Sequence, residues 1–129
     1  MNNNTIITAF PLAKKRLCEL SKDELGELTQ QYKLSIIFIR QADLQKIKSI
    51  NKKSNDYSLK HVAELWLRGN SANNGYISSE AFTIAMIHEG FDFQVDYKSE
   101  TTSILGHSCH FNISAKSVKK AVLEGQYYD

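Results

Sequence analysis

Two histidines flank a cysteine in residues 106–110, which read GHSCH. His107, Cys109 and His110 are all competent zinc ligands, and a cysteine within hydrogen-bond reach of a histidine can act as a nucleophile. On a strand, His107 and Cys109 would share one face and His110 would point away, so the three converge only at a bulge or turn. A small metal- or thiol-dependent enzyme at His107–His110 is therefore one hypothesis. No established catalytic motif accompanies it, and we assign no catalytic residue, metal or cofactor.

Residues 27–42, which read ELTQQYKLSIIFIRQA, are a candidate for DNA recognition. Leu28 and Thr29 would lie in a first helix, 33–35 at a turn, and Ile39 in a second helix. This pattern resembles the short helix-turn-helix of many bacterial and phage DNA-binding proteins. The resemblance implies a recognition helix whose outward positions are Ser35, Ile36, Ile37, Arg40 and Gln41. Arg40 and Gln41 could then contact guanine and adenine edges in duplex DNA.

Charge is distributed unevenly along the chain. The net formal charge is +2, but residues 1–56 carry ten Lys/Arg against six Asp/Glu, whereas residues 57–129 carry six against eight. A basic front half can contact an acidic partner or phosphates. The candidate surface for a partner or nucleic acid comprises Lys14, Lys15, Arg16, Arg40, Lys46 and Lys48, with Ser35 and Gln41 added by the helix-turn-helix hypothesis.

We expect the other elements of the chain to pack against residues 77–97. Ser78 is a candidate N-cap of an almost wholly apolar helix, and Gly90 can take the positive φ that ends one. Residues 91–97 then alternate between apolar and polar, which predicts a half-buried strand. A helix that is apolar on nearly every side is typical of a domain interior.

The remaining patterns complete an α+β prediction. We expect about five to six short helices, a small antiparallel sheet or hairpin near residues 91–113, and a C-terminal helix. We expect a single domain, 1–129, with a basic helical front half (1–56) and a helix-plus-sheet half (57–129). In the front half, the patterns predict a strand or loop over 6–10, a helix from Pro11 to about Leu20, a capping box at Ser21–Glu24, a turn at 32–35 and a helix over 36–50. In the second half, they predict an amphipathic helix from a Ser58 cap to Gly69 and strands over 102–105 and 109–113. A last helix is predicted from Ser114 to Gly125.

Composition and length fit a small binding protein of the cytoplasm. Apolar residues make up 42% and charged residues 23% of the chain, no apolar run reaches a membrane-spanning length, and two cysteines do not make a disulfide framework. In overall character the chain is similar to small prophage or mobile-element proteins. The similarity implies a non-enzymatic inhibitor, anti-CRISPR-like, that binds a host protein or nucleoprotein complex. A helix-turn-helix regulator that binds duplex DNA is the alternative, and Tyr127 and Tyr128 could anchor a homodimer.

Overall fold

The computed structural model describes residues 4–70 and 75–127. Within these ranges the chain forms six helices and a three-stranded antiparallel sheet, which confirms the α+β prediction. The elements in order are α1 (Asn4–Ala9), α2 (Ala13–Cys18), α3 (Lys22–Gln41), β1 (Lys46–Asn51), α4 (Asp56–Asn70), α5 (Ser79–His88), β2 (Phe93–Asp96), β3 (Ser108–Ile113) and α6 (Ala115–Tyr127). No helix in the described part of the chain combines the length and the apolar character needed to cross a membrane.

The sheet is built around its last strand, because the strand order is β1-β3-β2. β2 pairs with β3 in a regular antiparallel register that runs from Phe93 opposite Phe111 to Asp96 opposite Ser108. Cys109, Phe111 and Ile113 alternate along β3 and are all fully buried, so they form its inward face.

α5 is the buried helix that the sequence predicts. The Ser78 side chain accepts a hydrogen bond from the Ala81 backbone N–H, which satisfies one of the unpaired donors at the helix start. The helix ends in a Schellman motif. Gly90 has a φ of 89° there, and the backbone N–H of Phe91 donates to the Met86 carbonyl at 3.1 Å.

α3 is one continuous helix of 20 residues, so the predicted turn at 32–35 is wrong. The capping box is confirmed, because Ser21 and Glu24 exchange both of its hydrogen bonds. Nothing between Glu27 and Gln41 breaks the helix, and the buried side chains Leu34, Phe38 and Ile39 form a continuous apolar face. The helix ends at Gln41, and Asp43 just beyond it takes a left-handed φ of 57°.

Three other local predictions are also corrected. Residues 46–51 form β1 instead of the end of a helix, so the front half is not wholly helical. The predicted strand or loop over 6–10 is replaced by the helix α1, which covers Asn4–Ala9, and residues 102–105 lie in a loop instead of a strand. Short runs of mixed polar and apolar residues fit both the helical and the strand period. Which structure forms therefore depends on the elements they pack against.

α4 and α6 pack together more extensively than any other pair of helices. α4 begins one turn before the predicted cap, since Asn55 and Ser58 exchange side-chain-to-backbone hydrogen bonds at its start. Gly69 lies inside α4 and does not end it. Gly125 likewise lies inside α6, where a Cβ would come within 3.2 Å of the Trp66 Cα, so this glycine permits the close approach of the two helices.

Candidate interaction surfaces

The recognition helix implied by the helix-turn-helix resemblance does not form. Ser35 is fully buried in the middle of α3, where its hydroxyl donates to the Gln31 carbonyl at 2.8 Å. Arg40 is exposed, but its guanidinium binds both carboxylate oxygens of Glu89 at 2.6 and 3.2 Å. Gln41 is exposed at the C-terminal end of α3, where the helix dipole repels phosphate.

His107, Cys109 and His110 make separate contacts and are not part of a metal-binding group in the described part of the chain. The His107 ring binds the Ser99 carbonyl at 2.6 Å, and the His110 ring binds the Ser54 carbonyl at 2.7 Å. Cys109 is fully buried between them. Burial raises the pKa of the Cys109 thiol and nearby Asp56 adds to the effect, so the reactive thiolate is disfavoured. Within 4–70 and 75–127, no group of three or more His, Cys, Asp or Glu could hold a metal ion.

The basic residues of the front half do not form one surface. α1 and α2 lie on the β2 side of the sheet, because the Phe10 ring stacks on that of Phe93 and the Tyr97 hydroxyl donates to the Ala9 carbonyl. Lys14 and Lys15 are exposed there. They are therefore separated from β1, which forms the opposite edge of the sheet.

Arg16 makes a structural contact on the β2 side of the sheet. Its guanidinium donates to the Thr101 carbonyl at 3.3 Å and to the Ser103 carbonyl. The loop 97–107 is held against α2 by these bonds and by Gly106, whose backbone lies against the Leu12 side chain. Arg16 thus fixes this loop to α2 through hydrogen bonds.

The second group of basic residues, which we call the basic edge, comprises Lys46, Lys48, Lys52 and Lys53. Lys46 and Lys48 lie on β1 at the edge of the sheet, and Lys52 and Lys53 directly follow this strand. Residues 46–49 are exposed. β1 pairs irregularly with β3: Lys46 lies opposite Ile113, yet Asn51 lies opposite Phe111. β1 therefore bulges away from its neighbour. Its outer side carries no paired strand in the described part of the chain.

Side-chain amides replace part of the regular ladder between β1 and β3. Asn112 donates to the Ile47 carbonyl at 2.9 Å, and Asn51 donates to the Ile113 carbonyl at 3.2 Å. Because these bonds hold the bulge from its inner side, residues 46–49 can stay exposed without losing their attachment to the sheet.

The lysines of the basic edge are largely free of counter-charges. The ion pairs found in the described ranges join Arg40 to Glu89 and Glu64 to both Lys60 and His61. None involves Lys48, Lys52 or Lys53. Lys46 instead lies over the Phe91 ring at 5.3 Å from its centroid, and it lines a depression of about 390 Å³ together with Arg40 and Glu89.

Sequence reasoning did not identify a polar cleft at the starts of α3, α4 and α5. In the sequence, the residues of this cleft are typical of helix caps and turns. The serines and threonines of the loop 97–107 match no known binding motif. Only the tertiary fold brings them to one place. The hypothesis that Tyr127 and Tyr128 anchor a homodimer stays a prediction, because both side chains lie outside the described residues.

That the protein is not an enzyme stays a prediction. The chain matches none of the protein-family models, curated proteins or solved structures with which it was compared.

Proposed function

We propose that this protein is a non-enzymatic binding protein that inhibits a host protein or nucleoprotein complex by stoichiometric binding, as anti-CRISPR inhibitors do. The observation that supports the proposal is the basic edge. It places four lysines on and just after an exposed edge strand, within eight residues that contain no Asp or Glu.

The chemistry of the basic edge favours an acidic protein partner. An edge strand presents N–H and C=O groups that an extended segment of another chain can pair with. Lysines along the edge disfavour pairing between two copies of this chain, because like charges would face each other. They attract a partner of opposite charge and accelerate its association.

DNA binding is the second candidate function, and the same lysines support it because Lys48, Lys52 and Lys53 could contact phosphates. It would be binding without base recognition by α3, since Ser35 is buried and Arg40 is paired with Glu89. Such binding depends on phosphate contacts and falls steeply with salt.

The proposal is tested by titrating the protein into purified RNA-guided nuclease complexes and measuring cleavage of their target DNA. We expect inhibition of at least one complex to be complete near a one-to-one molar ratio. The variant Lys48→Glu/Lys52→Glu should inhibit about tenfold more weakly, because two favourable charge contacts become repulsive. Arg40 is left intact, since reversing its charge would place a second carboxylate beside Glu89.

The matched control is Lys14→Glu/Lys15→Glu, which makes the same change in net charge on the other side of the sheet. It should inhibit like the wild type. Equal weakening by both pairs, or no inhibition of any complex in the panel, would contradict the proposal. Direct binding to duplex DNA at 50 and 200 mM salt, lost in Lys48→Glu/Lys52→Glu, would favour the second candidate function.

A further inference from the structure

Apolar side chains from four helices line an open groove on the surface of the protein. The groove consists of two depressions of about 400 and 210 Å³, which meet at Ile84 of α5 because this side chain lines both. α1 and α2 supply Ile7 and Leu17 to the first depression, and α3 contributes to the lining of both. We call this feature the apolar groove.

The side of α3 that lines the apolar groove has the spacing at which helices pack against each other. Leu25, Leu28 and Tyr32 stand at positions i, i+3 and i+7, so they lie along one side of the helix. They span about 10 Å, which is two turns. Leu25 is 50% exposed, so the packing of α1 and α2 leaves this side open. Amphipathic helices bind such grooves through apolar side chains repeated at the same spacing.

Two lysines, which we call the basic rim, flank the apolar side chains of α3. Residues three or four positions apart are neighbours on a helix surface, so Lys22 lies beside Leu25 and Lys33 lies beside Thr29. Both lysines are exposed. Neither forms an ion pair within 4–70 and 75–127. The basic rim is therefore available to carboxylates of another molecule at both ends of the groove.

The carboxylates in the first half of α3 are directed elsewhere. Glu24 and Glu27 line the polar cleft, and Glu24 is also engaged in the capping box. Asp23 is two positions before Leu25 and therefore lies on a different side of the helix. Positive charge consequently dominates the side of α3 that carries the apolar groove.

Three other occupants fit the apolar groove less well. A twofold contact between two copies pairs a surface with itself. It would place one basic rim against the other, and like charges repel. A bilayer takes up apolar side chains that project from a surface, whereas these line a depression. An open groove would also leave much of a small molecule in contact with water.

We propose that the apolar groove binds an amphipathic helix of a partner protein whose apolar stripe is flanked by aspartate or glutamate. Apolar side chains of that helix would cover Leu25 and Ile84, and its carboxylates would pair with Lys22 and Lys33. The contact combines burial of apolar area with complementary charge, which supplies affinity and orientation respectively. The site is separate from the basic edge and does not rest on the proposed function.

The test is fluorescence anisotropy with a labelled helical peptide in which leucines are spaced three and four residues apart and glutamates lie on both sides of that stripe. A second peptide has lysine in place of every glutamate. We expect the acidic peptide alone to bind. Lys22→Glu/Lys33→Glu should weaken its binding about tenfold, because two attractive contacts become repulsive. The matched control Lys116→Glu/Lys120→Glu makes the same change in charge at exposed positions of α6 and should bind like the wild type.

A second pair of variants tests the apolar part of the contact. Leu25→Asn should also weaken binding of the acidic peptide about tenfold, since half of this side chain is available for burial by a partner. Leu123→Asn is the matched control, because Leu123 is 59% exposed on α6 and lines neither depression. It should leave the affinity unchanged.

A measurement on the wild-type protein locates the site without any variant. Cys18 is exposed and lines the apolar groove, whereas Cys109 is buried. A thiol reagent such as an aromatic disulfide should therefore react first with Cys18. A saturating concentration of the acidic peptide should slow that reaction about tenfold.

Several results would overturn the proposal. They are absence of binding by the acidic peptide, equal binding of both peptides, equal loss of affinity in a variant and its matched control, and binding that leaves the reactivity of Cys18 unchanged. Displacement of the peptide by phosphatidylglycerol vesicles, by an equimolar concentration of decanoate or by self-association of the protein would assign the groove to a bilayer, a small amphiphile or a second copy. The nuclease titration uses other variants, so neither experiment decides the outcome of the other.

Discussion

The carboxylate of Asp56 accepts a hydrogen bond from the backbone N–H of Cys109 at 3.0 Å, which joins the first turn of α4 to β3 across 53 positions of sequence. Both residues are buried. The bond fixes the start of α4, which forms one end of the polar cleft, to the central strand of the sheet.

This buried carboxylate should make stability depend on pH. Burial raises the pKa of Asp56 above its ordinary value of 3.8, so the folded state holds the proton more tightly than the unfolded state. The contribution of Asp56 to the free energy of unfolding therefore falls as pH rises through the raised pKa. Asp56→Asn keeps an acceptor oxygen but loses the charge. Urea unfolding at pH values from 3.5 to 7 should show the variant gaining stability relative to the wild type as pH rises, and a constant difference would contradict the pKa shift.

Asn112 should be important for the attachment of β1. Its side chain donates to the Ile47 carbonyl and accepts from the Asp92 backbone N–H at 2.8 Å. One residue of β3 is therefore hydrogen-bonded both to β1 and to the segment just before β2. Asn112→Ala should lower the free energy of unfolding by about 2–3 kcal/mol, because buried polar groups lose their partner. The Asn51 side chain is less buried; it donates to the Ile113 carbonyl and accepts from the Lys53 backbone N–H. Because solvent can replace part of these bonds, Asn51→Ala should cost only about 1 kcal/mol. Equal effects in urea unfolding would contradict this difference.

Two helical glycines should respond in opposite directions to the same substitution. A Cβ at Gly125 would lie 2.9 Å from the Leu65 Cγ and 3.2 Å from the Trp66 Cα, whereas nothing lies within 4 Å of one at Gly26. Gly125→Ala should destabilise the protein by about 1–3 kcal/mol through overpacking. Gly26→Ala should stabilise it by about 0.5–1 kcal/mol through better helix propensity. Thermal unfolding of the two variants measures both signs, and stabilisation by Gly125→Ala would show that α4 and α6 are less closely packed.

The hydrogen bonds of Arg16 should control the order of the loop 97–107, part of which lines the polar cleft. Arg16→Ala removes the hydrogen bonds to Thr101 and Ser103. The backbone N–H of Gly106, which donates to the Ser103 carbonyl at 3.1 Å, should then exchange about tenfold faster with solvent deuterium. Lys15→Ala, at the exposed neighbouring position, should leave that rate unchanged. An unchanged rate in Arg16→Ala would mean that the loop is held by other contacts.

Thr83 should be a position where a substitution stabilises the fold. It is 1% exposed in α5, and its hydroxyl oxygen has no hydrogen-bond partner in the described part of the chain. Thr83→Val replaces the hydroxyl with a methyl group of similar size and should raise the free energy of unfolding by about 1 kcal/mol. Destabilisation in a urea titration would indicate that the hydroxyl is hydrogen-bonded in solution.

Sequence patterns predicted correctly those features that depend on neighbouring residues. The capping box of Ser21 and Glu24, the Ser78 cap and the terminal Gly90 follow from hydrogen bonds and backbone angles within a few positions. The inward alternation of β3 and the amphipathic face of α4 follow from periods of 2 and 3.6 residues. These local rules were enough to identify an α+β fold.

The tertiary structure alone decided what lies far apart in sequence. Residues 46–51 become a strand because β3, more than fifty positions later, supplies their partners. The candidate basic residues separate because α2 and β1 lie on opposite sides of the sheet. The polar cleft exists because the starts of α3, α4 and α5 meet beside one loop. A pattern in a few neighbouring residues reflects the preferred backbone conformation and which side of that element is apolar. The features named here depend instead on which distant elements bury apolar area against each other.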